Sequence, residues 1–229
     1  MGVGPGDPEL LTARAVRVLR QAGHVLAPSV AVDAVGRAEA IVRQACPDVE
    51  VERVVFDMAR AGDGYERAAA RVVACLDGGT DVAFVTLGDP NVYSTFSALA
   101  VAVRSLRPET VVATVPGIMA FQELASRSGT PVVCGAERLA LVTALDGTQV
   151  LDGTVDDPDV AVVVYKGGRH LPALAARLAA AGRLSGAVVG ELLGLPGERV
   201  APVADASTGP AAYLATVIVP PSARDGAAG

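Results

Sequence analysis

Over residues 8 to 116, short β-branched runs alternate strictly with segments whose apolar residues recur at helical spacing, and that alternation admits very few folds. "PELLTARAVRVLRQAG", residues 8 to 23, puts Leu10, Leu11, Ala15, Val18 and Leu19 at helical spacing between Pro8 and Gly23. The strand "HVLAPS", the helix "RAEAIVRQAC", the strand "VEVERVVF" and the helix "YERAAARVVACLDGG" follow. The strand "DVAFVTLG", the helix "YSTFSALAVAVRSL" and the strand "ETVVATVPG" complete the series. Parallel strands need long crossovers, which helices supply, so residues 1 to 115 are predicted to form an α/β domain with a mainly parallel sheet.

From residue 116 the pattern changes. A helix over 119 to 128 and the strands "RLALVTAL" and "VAVVVYKGG" precede the helix "LPALAARLAAAG" and the strands "GAVVGELL" and "AAYLATVIVP". Fewer helices per strand predict a mixed sheet for a second α/β domain, residues 116 to 229, whose tail "SARDGAAG" is expected to be disordered. Met1 directly precedes "GVGPGD". The expectation is a truncated start with a stunted first strand and a poorly anchored Gly4-Pro5-Gly6 loop.

Composition removes several function classes. At 229 residues and 51% hydrophobic composition the chain can bury a sizeable core. No apolar run approaches the roughly 20 residues of a membrane helix, so a soluble, cytoplasmic protein without membrane partners is expected. A formal charge of −6 and 3% aromatic content argue against a nucleic-acid surface. With His24 and His170 the only histidines and no clustered ligands, no metal site is expected. Cys46, Cys75 and Cys134 form no CxxC pair and read as reduced, half-buried fillers.

The polar chemistry gathers at strand ends. "FVTLGDPNVYSTFSAL", residues 84 to 99, leaves a buried strand through a Gly-Asp-Pro turn that presents Asp89, Tyr93, Ser94 and Thr95. Turn formation and helix capping would explain each of these about as well as ligand binding. The position is informative, because open α/β sheets bind ligands at the carboxyl ends of their strands. "GVGPGDPELLT" lacks the G-x-G-x-x-G spacing and the GK[ST] of phosphate loops, and its glycines could simply permit a tight turn. "TVPGIMAF", residues 114 to 121, again puts Pro-Gly at a strand end.

Together these three loops and the later "VVVYKGGR" resemble the tetrapyrrole methylase family, over nearly the whole chain. "GDPNVYSTF" and "GLPGERV" look most like the members that methylate the C20 meso carbon of precorrin-2 or its cobalt-bound form. The resemblance implies an S-adenosylmethionine-dependent C-methyltransferase of cobalamin biosynthesis, releasing S-adenosylhomocysteine. It further implies a two-domain fold with the cofactor in the cleft between, a homodimer, and a tetrapyrrole as the substrate. By motif, the cofactor contacts fall on Pro5, on Leu87, Gly88, Asp89 and Val92, on Met119 with Ala120, and on Tyr165, where many relatives carry methionine. The acetates and propionates of such a substrate call for cations, for which Lys166, Arg169, Arg127 and Arg138 are candidates; solvated surface charge is the alternative for each. The proton leaving the methylated carbon could go to Tyr93, Glu191 or a substrate carboxylate. Two rivals remain: a same-fold enzyme for another acceptor (another ring position, diphthamide on a protein, ribosomal RNA), and a non-catalytic cofactor-binding regulator.

Overall fold

The computed structural model describes residues 1–56 and 61–222, and the chain divides into two compact units, Met1–Met119 and Ala120–Gly229. Nearly all of the expected tail therefore lies outside the described residues.

In the first unit, β1 (His24–Ser29) is flanked by β2 (Glu52–Val55) and β3 (Val82–Phe84), both parallel to it. Side chains alternate across a strand, so β1 feeds two cores. Val25 and Ala27 meet α1 (Ala13–Gln21) and α2 (Arg37–Ala45) on one face, burying Leu19, Ile41 and Val42. Leu26 meets α3 (Ala61–Asp77) and α4 (Phe96–Leu106) on the other, with Val54, Leu99 and Val103. Phe84 stacks on Phe96 at 6.3 Å and meets Phe56 edge-on at 6.0 Å. Burying one such side chain contributes about 1.5–3 kcal/mol, so these two layers hold the sheet between its helices.

The second unit has a mixed five-stranded sheet in the order β4-β5-β8-β6-β7. Its strands are β4 (Arg138–Thr143), β5 (Val160–Tyr165), β6 (Val188–Glu191), β7 (Arg199–Pro202) and β8 (Thr216–Val219). β4 and β5 are parallel, while β8 runs antiparallel to β5 and β6, and β7 antiparallel to β6. α6 (Leu171–Ala180) covers one face with Leu171, Leu174 and Leu178 over Val162, Val164 and Val217. α5 (Ala120–Ser128) lies against β6, β7 and β8, and Gly190 leaves room for Leu124. A short α7 (Val203–Ala206) follows β7. Buried Arg183 donates to the carbonyls of Val155, Asp157, Val160 and Pro220 at 2.8–2.9 Å, tying the start of β5 to the end of β8.

Several expectations need correcting. The helix predicted from Pro8 is interrupted: Pro8–Leu10 is a 3-10 turn, and Thr12, extended, caps α1 by accepting from Ala15 N at 3.1 Å. "ETVVATVPG" forms no strand: Gly2 N donates to Val115 O at 2.9 Å, but the segment joins neither sheet and Val111 stays 93% exposed. "GLPGERV" runs into a strand, β7, that sequence reading left out. The first strand is stunted as expected, reduced to bridges from Gly2 to Thr86 and from Gly4 to Gly88. Its loop is nonetheless anchored, since Gly4 O accepts from Gly88 N at 2.9 Å and Val3 N donates to Thr86 O at 3.0 Å. Cys46 and Cys75 are buried outright, and Cys134 is exposed.

Candidate functional site

In the first unit the three glycine loops are built into one another. A Cβ on Gly2 or on Gly117 would collide with the carbonyl oxygen of Gly88, so only glycine lets the three backbones close up. Gly88 itself has φ 63, which favours glycine, and its outer side is open: an added Cβ would find Met119 Cα at 3.9 Å and nothing nearer. A ligand can therefore approach the backbone at Gly88. Asp89 locks the arrangement by accepting from Asn91 N at 2.8 Å and from Gly117 N at 3.1 Å. Asn91 adds a third tie, from its side-chain amide to Thr114 Oγ1 at 3.3 Å.

The polar groups after the turn have structural duties. Ser94 Oγ lies 3.0 Å from Thr86 Oγ1 and accepts from Phe96 N at 3.1 Å, which opens α4. Tyr93 differs. It is 48% exposed and held at φ 47, a conformation that costs a bulky residue of order 1–3 kcal/mol and clusters at functional sites. Pro5, Leu87 and Val92 are half-buried along the same loops.

In the second unit, β4, β5 and β6 end on one edge of the sheet, where β8 begins. The register aligns Thr143, Tyr165, Thr216 and Gly190 in one row at that edge. Backbone strain gathers there, with Lys166 at φ 57 just after β5 and Leu192 at φ 51 just after β6. The segment between α7 and β8 is clamped from both sides: Ala211 N donates to Gly168 O at 2.8 Å and Ala212 N to Glu191 Oε2 at 2.7 Å. Any side chain at position 168 would strike Ala212 O. The Thr216 hydroxyl is buried with no hydrogen-bond partner among the described residues, a polar group suited to a ligand.

The remaining candidates separate by position. Lys166 and Arg169 follow β5, on that edge; burial lowers the Lys166 ammonium from its ordinary value, while Arg169 is exposed. Arg127 is 2.6 Å from Glu123 on its own helix. Glu198, at the head of β7, also accepts from Gly194 N at 2.6 Å. Arg138 starts β4, opposite Val160, and pairs with Asp157 at 2.6 Å. At about 3.3 Å per residue it sits roughly 16 Å from the Thr143 end, so it is not brought together with Lys166 and Arg169. Glu191 has one oxygen on Ala212 N and the other 3.3 Å from Arg199, which makes it a holder of the loop. Gly2, Gly117 and Ala212 escaped sequence reading, because a backbone atom's role leaves no side-chain signal.

A profile of the family described as Tetrapyrrole (Corrin/Porphyrin) Methylases matches residues 1–206. The chain belongs to the tetrapyrrole methylase family. It is 33% identical over 233 residues to a Sinorhizobium precorrin-2 C(20)-methyltransferase, covering 96% of this chain and 93% of that one. A Salmonella typhimurium cobalt-precorrin-2 C(20)-methyltransferase is 30% identical over 206 residues, 87% of this chain and 84% of that one. The fold matches a Thermus thermophilus uroporphyrin-III C-methyltransferase complexed with S-adenosylhomocysteine at TM-score 0.63 and 22% identity, over 96% and 95% of the two chains.

Proposed function

We propose that this methylase transfers a methyl group from S-adenosylmethionine to the C20 meso carbon of precorrin-2, or of its cobalt-bound counterpart, in cobalamin biosynthesis, acting as a cytoplasmic homodimer. The observation that carries the reading is the convergence of the three loops on Gly88, whose open outer side exposes backbone to a ligand. The residues fit the cofactor. Its adenosine and zwitterionic amino acid need many donors and acceptors and no metal, which strand-end amides and carbonyls supply. Pro5, Leu87, Gly88, Asp89, Val92, Met119, Ala120 and Tyr165 would hold it, with Asp89 keeping the second and third loops in place.

Bound there, S-adenosylmethionine supplies an electrophilic methyl group on a sulfonium. The protein's part is mainly positioning, and good alignment in a dry site can supply about 7–11 kcal/mol of the barrier. Lys166 and Arg169 would meet the acid rim of the substrate, and the partly desolvated Lys166 ammonium gains most from a carboxylate partner. The C20 proton must leave after methylation. Glu191 is already engaged, which favours Tyr93 or a substrate carboxylate as the acceptor.

Two experiments test the reading. Titration calorimetry with S-adenosylhomocysteine should give saturable one-site binding; no binding would sink the methylase reading. Incubation of precorrin-2 and of its cobalt complex with methyl-labelled cofactor should place the label on C20 by NMR. A label on another carbon would move the protein to a different methylase, and no transfer with intact cofactor binding would favour a regulator. Tyr93→Phe should lower kcat about tenfold or more; an unchanged kcat assigns the proton to the substrate's own carboxylates.

A further inference from the structure

The loop after β1, "VAVDAVG", residues 30 to 36, holds three valines in water: Val30 is 74% exposed, Val32 72% and Val35 55%. A connection of this length usually carries polar residues, and clustered exposed apolar side chains mark a binding surface. The loop is tied down at several points. The Ser29 hydroxyl, 5% exposed, lies 2.7 Å from Ala31 O and 2.6 Å from Ala34 O and accepts from Ala31 N at 3.3 Å. Arg53 donates to Val32 O at 2.9 Å and is itself held by the fully buried Glu39 at 2.7 Å. Burial alone would push the Glu39 carboxyl up, but Arg53 and Arg43 outweigh it and hold it below the usual range. These ties fix the loop's backbone while the three valines stay exposed.

Position says what covers them. β1 and β3 are parallel neighbours paired from His24–Val82 to Leu26–Phe84, and Val85 N donates to Leu26 O at 2.9 Å, so both chains leave the same carboxyl edge of the sheet. The valine loop thus follows the carboxyl end of β1, beside the strand whose own continuation runs into the Gly88-Asp89 turn, and ligands of open α/β sheets bind at that edge. Its one acid, Asp33, is offset by the Arg53 charge, and the loop ends at Arg37. A surface that is apolar, fixed and followed by a cation suits a flat apolar ring with an anionic rim. It does not suit the polar cofactor.

We propose that Val30, Val32 and Val35 form an apolar rest for one face of the tetrapyrrole macrocycle and so help to orient C20. This rests on the methylase reading. The test uses Val30→Asn/Val32→Asn, neutral so that charge repulsion with an acidic porphyrin plays no part, and Val32→Ile as the conservative control. Uroporphyrin, an octacarboxylate tetrapyrrole, is titrated by absorbance, S-adenosylhomocysteine by calorimetry, and mass is read by sedimentation. Expected are uroporphyrin binding and KM for precorrin-2 weakened at least tenfold in the double variant, cofactor affinity within twofold of the parent, unchanged mass, and parent-like Val32→Ile. Unchanged tetrapyrrole binding, equal loss of cofactor binding, or a parent that binds cofactor but no tetrapyrrole overturns the proposal. A fall in mass overturns it in favour of an interface between two copies. A parent that binds no S-adenosylhomocysteine overturns the methylase reading instead.

Discussion

The carboxyl edge of the first unit and the corresponding edge of the second reach a fixed geometry by opposite means. In the first, Gly2, Gly88 and Gly117 pack backbone on backbone and Asp89 supplies the side-chain clamp. In the second, Glu191 reaches out to hold Ala212, Arg199 flanks it, and non-glycine residues, Lys166 and Leu192, carry the positive φ angles. The first edge therefore rests on backbone packed against backbone at its centre, and the second leans more on the Glu191 side chain, although a side chain at Gly168 would intrude there too. Backbone contacts have no rotamers to lose, so the first edge is already ordered before a ligand arrives.

Substitution can break that comparison. Gly117→Ala adds one methyl group against Gly88 O and should lower S-adenosylhomocysteine affinity by about 100-fold or more, read by calorimetry, because the loops must part. An alanine that binds normally would show that the loops are not packed as described. Asp89→Ala removes the clamp and leaves the glycines, so a loss of about tenfold is expected with an intact far-UV spectrum. Unchanged affinity would remove Asp89 from the site.

On the second edge, Glu191→Ala frees Ala212 N and should cost about 1.5–3 kcal/mol in urea unfolding, the usual worth of a charged hydrogen bond. An effect on kcat without one on stability would restore Glu191 as a catalytic residue. Glu39 gives a pH readout for the valine loop. Its folded carboxyl titrates below its unfolded value of 4.5, so its stabilisation is present above that value and is lost as pH falls through the lower folded one. Glu39→Gln should flatten the acid limb of the stability curve; an unaltered limb would mean the Arg53 pair carries no net stability. The smallest effect is expected of Arg138→Ala, on the far edge of β4, where KM should stay within twofold, against a rise of several-fold for Arg169→Ala.

How much was legible in advance can be judged residue by residue. β1 and its helices were readable because His24–Ser29 alternates between two covered faces and each flanking helix repeats its own apolar stripe. β7 was not, since "ERVAP" has no alternation of its own and gains its strand by pairing with β6. The failure of residues 109–117 to form a strand is the converse: β propensity is there, but among the described residues no ladder forms along it. Arg138 and Arg169 looked alike as cations near apolar strands, and the register alone put them at opposite ends.

The sequence by itself determined the alternating α/β order, the glycine loops at the strand ends and the family motif, because periodicity, turn chemistry and short motifs are local properties of neighbouring residues. The tertiary structure alone decided that Asp89 reaches Gly117, that Glu191 is spent on Ala212, and that the valine loop leaves the sheet beside the strand leading to the Gly-Asp-Pro turn. Those relations join residues far apart in the chain, and the strand register that joins them is settled by packing against both sheet faces at once.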